Sequence, residues 1–137
     1  MGFDWGKRYI GISLGDTLTK QARDLYSITN QELGKTNWQE ILNIINEWKP
    51  NILVVGVPYN KEHKNQILEK LALKFANELA KKTNIKTEIV DEHLTTWQAK
   101  YEMGKFNNFN KKELMALNTK AAKIILDEWL NNQNSYD

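Results

Sequence analysis

The chain has 137 residues, of which 41% are hydrophobic and 10% aromatic, and its net charge is +2. This length predicts one domain, and the composition excludes an intrinsically disordered chain. Cysteine is absent, which excludes disulfides and thiolate metal sites. No apolar run reaches the roughly 20 residues of a membrane span, and the first residues lack a signal-peptide pattern. We therefore expect a soluble cytoplasmic protein without a membrane partner.

The N-terminal segment, residues 3–16, is largely apolar but contains the carboxylate of Asp4 near its start. An ionised group among core residues is costly unless a cation or hydrogen bonds compensate it, so Asp4 is a candidate functional residue. Gly6 and Gly11 predict a tight turn between two strands, because glycine accepts backbone angles that other residues resist. Such a hairpin, with Asp two residues before Gly, is shared by metal-dependent nucleases and phosphate-binding ATPases.

Capping signals and hydrophobic periodicity predict the next elements. A short strand is expected near residues 25–28. Asn37 and Glu40 form a capping box that opens a helix ending before Pro50. A continuous β-branched run at 51–57 predicts a strand that is buried on both faces. Three of the five tryptophans are expected on core-facing helix stripes: Trp38, Trp48 and Trp129.

The second half of the chain predicts further helices and one strand. Apolar residues at four-residue steps from Ile67 to Leu79 predict an amphipathic helix that ends near Lys82. A short strand at 87–90 leads directly into the acidic pair 91–92. The remaining predicted segments are a helix from Thr95 to about Met103, an Asn- and Lys-rich loop at 104–111, a helix at 112–130 and a polar tail at 132–137. The domain is expected to span residues 1–131.

This order of elements predicts an α/β fold of RNase H-like type. It is a mixed sheet with an antiparallel N-terminal hairpin and helices on both faces. In open α/β sheets, functional sites gather at the carboxyl ends of the strands. The two central parallel strands are expected to end at residues 56–58 and at the acidic pair 91–92, so these segments and Asp4 are candidates for one site.

Acidic residues from separate elements are what a two-metal site requires. Two magnesium ions about 3.5–4 Å apart can activate a water and stabilise a leaving oxygen in phosphodiester hydrolysis. Such cations take oxygen ligands, for which Asp4 and Glu92 are the natural candidates. Because side chains alternate along a strand, we expect Glu92 to face the metal and Asp91 to cap or brace the following helix. The alternative for Asp4 is a buried turn former.

Four motifs in order make the chain similar to the YqgF/RuvX family, over nearly its whole length. The motifs are Asp4-Trp-Gly6 through Gly11, Val54 to Asn60, Val90 to Thr96 and Ala121 to Leu126. The resemblance implies an RNase H fold and a bacterial nuclease that matures the 5′ end of pre-16S rRNA in ribosome biogenesis, or one that resolves Holliday junctions. It implies Mg²⁺ or Mn²⁺ as cofactor, structured RNA, ribosome precursors or branched DNA as partners, and a monomer or weak dimer.

The resemblance also implies an acidic catalytic set, which falls here on Asp4, Asp91, Glu92 and Asn118, with Asp4, Glu92 and Asn118 as metal ligands. The family pattern has an aspartate where this chain has Asn118. An amide oxygen can ligate magnesium, but the site is then one negative charge short. Neighbouring acids are poor substitutes, because Asp127 is about 180° and Glu113 about 140° around the helix. Asn118 itself is expected to point inward.

Basic residues are the candidate contacts to nucleic acid. Six lysines and only two acids lie between residues 100 and 123, which fits either a phosphate-binding track or a solvated surface. The candidate substrate-binding residues are Arg8, Lys61, Lys64, His93 and Lys120. His93 stands where the family commonly has arginine, and it lacks the fixed charge and bidentate fork of that residue. Trp5 and Trp97 are placed near the site, to stack on bases or to pack.

Two other classes of protein share these features. Actin-like ATPases and sugar kinases begin with a similar hairpin, but they need two such domains to clamp a nucleotide, and this chain predicts one. A non-catalytic RNA- or ribosome-binding module keeps the fold without a complete metal set. Asn118 favours that second alternative, because it removes one expected charge from the site.

Overall fold

The computed structural model of the protein describes residues 1–30, 35–58, 66–92 and 109–133. Within these residues the chain forms strands and helices in the order β1 (Gly2–Asp4), β2 (Tyr9–Asp16), β3 (Gln21–Thr29), α1 (Trp38–Trp48), β4 (Ile52–Val57), α2 (Gln66–Thr83), β5 (Lys86–Asp91) and α3 (Lys111–Asn132). The helix and loop predicted between residues 95 and 108 lie outside the described residues. So do Lys61, Lys64, His93 and Trp97.

The strands form one five-stranded mixed sheet in the order β3-β2-β1-β4-β5. The first three strands are antiparallel neighbours, whereas β4 runs parallel to β1 on one side and to β5 on the other. The predicted N-terminal hairpin and mixed sheet are therefore confirmed. The short strand β1 lies at the centre, so its last residue is surrounded by sheet on both sides.

Helices cover both faces of the sheet, as predicted. On one face, α1 and α2 pack on the larger core, whose fully buried members include Phe3, Ile10, Ile12, Ile41, Leu53, Val55, Val57 and Leu79. On the other face, α3 packs on a smaller cluster made of Val54, Ile125, Leu126, Trp129 and Leu130. Side chains alternate between the faces along each strand, so β4 contributes Val54 to one cluster and Val55 to the other.

The capping prediction for α1 is confirmed. The Asn37 side chain accepts a hydrogen bond from the Glu40 backbone N–H at 3.3 Å. A capping box that the sequence analysis does not predict opens α3, where Asn110 and Glu113 bond reciprocally. No helix in the described part of the chain is both long and apolar enough to span a membrane.

Four sequence predictions differ from the structure. Strand β3 begins at Gln21 rather than near residue 25, because pairing with β2 forms it and its side chains are mostly exposed. Gly11 is a residue within β2 and not part of the turn. Trp48 is 41% exposed and Ile67 is 69% exposed, so neither belongs to the core. Both lie in the terminal turn of their helix, where the apolar stripe extends past the packed face.

Candidate active site

Asp4 is the last residue of the central strand β1, and glycines flank it on both sides. It pairs with Gly11 of β2 and with Gly56 of β4. Directly paired residues in a sheet point to the same face, so the two positions beside the Asp4 side chain carry no side chain of their own. The sheet therefore leaves room around this carboxylate for groups from other elements.

Glu92 fills part of that room. Its backbone N–H donates to the Val57 carbonyl at 2.9 Å, which extends the parallel ladder one residue past β5. Val90 packs in the cluster under α3, and Glu92 lies two residues further along, on the same face. The Glu92 Oε2 atom is 3.4 Å from the position that a Cβ on Gly56 would occupy. The Glu92 carboxylate therefore lies over the glycine that neighbours Asp4.

Asp91 lies on the opposite face. It pairs with Val57, whose side chain is buried in the core formed by α1 and α2. Alternation along β5 therefore separates Asp91 from Asp4 and Glu92, even though it is adjacent to Glu92 in sequence. The predicted role of Asp91 in capping the following helix concerns residues outside the described part, and it stays a prediction.

Burial makes the ionised form of Asp4 unfavourable. Asp4 is 4% exposed and Glu92 is 7% exposed. Burial, and secondarily the negative charge of Glu92, raise the pKa of the Asp4 carboxyl well above its usual range. The Asp4 Oδ2 atom is buried and accepts no hydrogen bond from the described residues. Two buried carboxylates, with an oxygen left unbonded, form a site that a hard cation would stabilise.

Helix α3 closes the other side of the site at Asn118. The Asn118 carbonyl oxygen lies so close to Gly11 that a Cβ on this glycine would overlap it. Gly11 is one strand away from Asp4, a spacing of about 4.8 Å. The Asn118 residue is half-buried. The structure thus brings Asp4, Glu92 and the backbone of Asn118 to one face and one end of the sheet.

Hydrogen bonds fix this position of α3 on the sheet. Ser13 Oγ donates to the Ala122 carbonyl at 2.8 Å, and Ser27 Oγ donates to the Met115 carbonyl at 2.6 Å. The Ser27 hydroxyl also lies 2.7 Å from that of Thr119. These contacts hold the helix on either side of Asn118, so its position relative to Asp4 is set by buried polar contacts as well as by packing.

The predicted substrate contacts that the structure describes are on the surface. Arg8 is exposed in the connection between β1 and β2, and Lys120 is exposed on α3, two residues after Asn118. Lys111 and Lys112, also exposed, begin the same helix. Trp5 is partly buried and packs on the larger core, so it serves packing. In residues 1–30, 35–58, 66–92 and 109–133, no group of three or more His, Cys, Asp or Glu is placed to hold a metal.

Gly11 and Gly56 leave the space that forms the site, a role that the sequence analysis assigned to neither, although it expected the segment 56–58 at the site. Each interrupts a β-branched or aliphatic run, Ile10-Gly11-Ile12 and Val55-Gly56-Val57. An isolated glycine inside a strand pattern is a signal for close approach of another group. The prediction that Gly11 lies in a turn is wrong, because Gly11 is a residue of β2 at the point where α3 contacts the sheet.

A mixed sheet of this topology, covered by helices on both faces and carrying carboxylates at the ends of its central strands, defines the RNase H-like class of fold. A solved structure with the same fold is titled "T. thermophilus RuvC in complex with Holliday junction substrate". It matches with a TM-score of 0.56 and 16% sequence identity, over 94% of this chain and 90% of that chain.

Sequence comparison identifies the family. The RuvX family, described as Holliday junction resolvase, matches residues 1–132, and the chain belongs to it. A protein of Haemophilus ducreyi is 38% identical over 132 residues, covering 96% of this chain and 95% of that protein. A protein of Buchnera aphidicola (strain APS) is 39% identical over 131 residues, with 96% of each chain covered. Both carry the name "Putative pre-16S rRNA nuclease".

Proposed function

We propose that this protein is a metal-dependent nuclease that hydrolyses phosphodiester bonds at the 5′ end of pre-16S rRNA. The observation that carries the proposal is the buried pair of carboxylates, Asp4 and Glu92, on one face at one end of the sheet. Membership of the RuvX family and the names of its relatives support the choice of reaction and substrate. The protein is then a cytoplasmic enzyme that acts on ribosome precursors.

The donor groups fit Mg²⁺ or Mn²⁺. Magnesium in proteins is commonly held by one or two carboxylates, and water and substrate phosphate complete its coordination. Asp4 and Glu92 supply two carboxylates, and Asn118 adds a neutral oxygen donor. When bound, such a cation supplies positive charge that activates a water and stabilises the leaving oxygen of a phosphodiester. The raised pKa of Asp4 fits a site in which a bound cation would favour the ionised carboxylate.

The chain's own residues have distinct roles in this proposal. Asp4 and Glu92 hold the cation, and their burial keeps bulk water from screening it. Asp91 supports the segment that follows β5 and does not act as a ligand, because it lies on the other face. Arg8 and Lys120 are exposed cations that contact the phosphate backbone of the substrate. Lys61, Lys64 and His93 are further proposed contacts.

A second candidate function is binding of RNA or the ribosome without cleavage. It is favoured by Asn118, which supplies no charge, and by the absence of a third clustered acidic residue in the described part of the chain. Cleavage of branched DNA is the remaining alternative, which the family description supports. The substrate assay below distinguishes all three.

The test is cleavage of a transcript that carries the precursor sequence at the 5′ end of 16S rRNA, with Mg²⁺ or Mn²⁺. We expect cleavage by the unmodified protein and none by Asp4→Asn or Glu92→Gln. Glu47→Gln, an exposed change on α1, is the matched control and should cleave normally. A four-way DNA junction is assayed in parallel. Binding of the transcript without cleavage would support the binding module, and cleavage of the junction alone would support the resolvase.

A further inference from the structure

A cavity of about 620 Å³ lies at the end of the sheet opposite Asp4 and Glu92. Its walls come from the turn between β2 and β3, the end of α1, the beginning of β4 and the last turns of α3. Strands β2 and β4 thus carry Gly11 and Gly56 at the candidate active site, and their other ends border this cavity. A volume of this size is within the range of about 300–1,000 Å³ that is typical of small-ligand sites.

A cation–ring pair of side chains forms part of the wall of the cavity. Trp48 is 41% exposed, and the guanidinium carbon of Arg23 is 5.3 Å from the centroid of its ring. Both residues line the cavity. An exposed indole beside a planar guanidinium is a surface on which flat aromatic rings stack, as bases do in proteins that bind single-stranded nucleic acids.

Trp129 lies in the wall of the same cavity and carries an unbonded hydrogen-bond donor. Its side chain is 7% exposed and lines the cavity, and its Nε1 atom is buried without an acceptor among the described residues. An indole N–H can only donate, and leaving it unbonded in the interior is costly. A ligand whose ring acceptor reaches this N–H, after a small movement of the cavity wall, would satisfy it.

The charged residues at the cavity favour an anion. Arg23 and Lys49 are cations that line it. Asp16 is also present, but its Oδ1 atom already accepts the Leu18 backbone N–H at 2.7 Å in the turn between β2 and β3. The cavity therefore offers a stacking surface, a donor and an excess of positive charge.

We propose that this cavity binds a nucleotide. The base stacks against Trp48 and Arg23, a ring acceptor takes the Trp129 N–H, and the phosphate lies near Arg23 and Lys49. The nucleotide is either a free mononucleotide or an unpaired nucleotide of an RNA strand, since both present the same chemistry. The site shares no side chain with Asp4 and Glu92, so it is independent of cleavage.

The test is a titration of the full-length protein, without added metal, with AMP, with a short single-stranded RNA and with inorganic phosphate. Proton–nitrogen spectra report the five tryptophan indole signals, which are assigned by single substitutions. We expect AMP or RNA to shift the signals of Trp48 and Trp129, and phosphate alone not to shift them. Tighter binding of RNA assigns the site to an unpaired nucleotide in a strand, and tighter binding of AMP assigns it to the free nucleotide.

Substitutions then locate the site. Trp48→Leu and Arg23→Gln change exposed residues and should each weaken binding about tenfold. Trp129→Phe keeps an aromatic ring but removes the donor, and should weaken binding about fivefold. Lys82→Gln is the control, because it disrupts a similar cation–ring pair at 5.3 Å on Trp38, which is not part of the cavity. Unshifted indole signals, an equal response to phosphate, or unchanged affinity in both exposed variants would overturn the proposal.

Discussion

The Glu92 carboxylate lies over Gly56, directly beside Asp4 on the central strand, and both acids are buried under helix α3. Glu92 thereby adds to the effect of burial and raises the pKa of Asp4. Two adjacent buried carboxylates destabilise the folded protein when both are ionised, unless a positively charged group compensates them. The destabilisation by the Asp4 charge and the stabilisation by a bound cation can be measured separately.

Removing the Asp4 charge should stabilise the metal-free protein at neutral pH. Because the pKa of Asp4 is raised in the folded state, its contribution to stability is full below its unfolded value of 3.8 and is lost as the pH rises through the folded pKa. Asp4→Asn cannot ionise, so its free energy of unfolding should exceed that of the unmodified protein at about pH 8 and approach it near about pH 4.

Urea denaturation across that pH range, with a chelator present, measures this difference. Glu47→Gln on the exposed side of α1 is the control and should show no comparable pH dependence. If Asp4→Asn were less stable than the unmodified protein at every pH, the carboxylate would be an essential structural group and its proposed role would be contradicted.

Manganese should bind to the face that carries Asp4 and Glu92. Calorimetric titration is expected to show binding by the unmodified protein, and a concentration of 100 times Kd should raise its free energy of unfolding by about 2.7 kcal/mol. Asp4→Asn and Glu92→Gln should abolish both effects. Asp91→Asn should bind within about twofold, because Asp91 lies on the opposite face and does not meet the cation. Equal loss in all three variants would contradict this assignment.

Gly11 should be intolerant of any side chain. A methyl group at this position would overlap the Asn118 carbonyl, which is helix backbone and cannot rotate away. We expect Gly11→Ala to cost about 1–3 kcal/mol in unfolding free energy and to reduce manganese affinity, because α3 must move away from the sheet. Gly15→Ala is the matched control. Its methyl group would first meet the ends of the flexible Leu126 and Leu130 side chains, at 2.9 Å, so its cost should be smaller.

The sequence was informative wherever local chemistry decides the structure. The Asn37 cap, the β-branched run of β4 and the isolated carboxylate of Asp4 all follow from side-chain properties over a few residues. Alternation of side chains along a strand also predicts that Glu92 and Asp91 lie on opposite faces. These features specify the hairpin, the central strands and the expectation that Asp4 and Glu92 meet.

Tertiary contacts determine the features that the sequence does not predict. The polar start of β3 has no apolar period, and it is a strand only because β2 lies beside it. Trp48 fits the apolar stripe of α1, yet it lies at the helix end, where Arg23 and solvent cover it. Gly11 was ambiguous because a turn and a helix contact require the same residue type. Which helix crosses which strand is a property of the whole fold.

A negative charge at position 118 tests whether Asn118 limits the metal affinity and the cleavage rate of this protein. Its backbone is held one strand from Asp4, so a carboxylate at 118 would add a third negative charge near the cation. We expect Asn118→Asp to bind manganese about tenfold more tightly, or ~1.4 kcal/mol, and to cleave RNA faster by a similar factor. The metal-free variant should be less stable, since like charges then repel in a buried site.

Asn77→Asp on the exposed side of α2 is the control and should change neither manganese affinity nor cleavage. If Asn118→Asp gains cleavage that the unmodified protein lacks, the present chain is a binding module. If affinity is unchanged, the 118 side chain does not reach the cation.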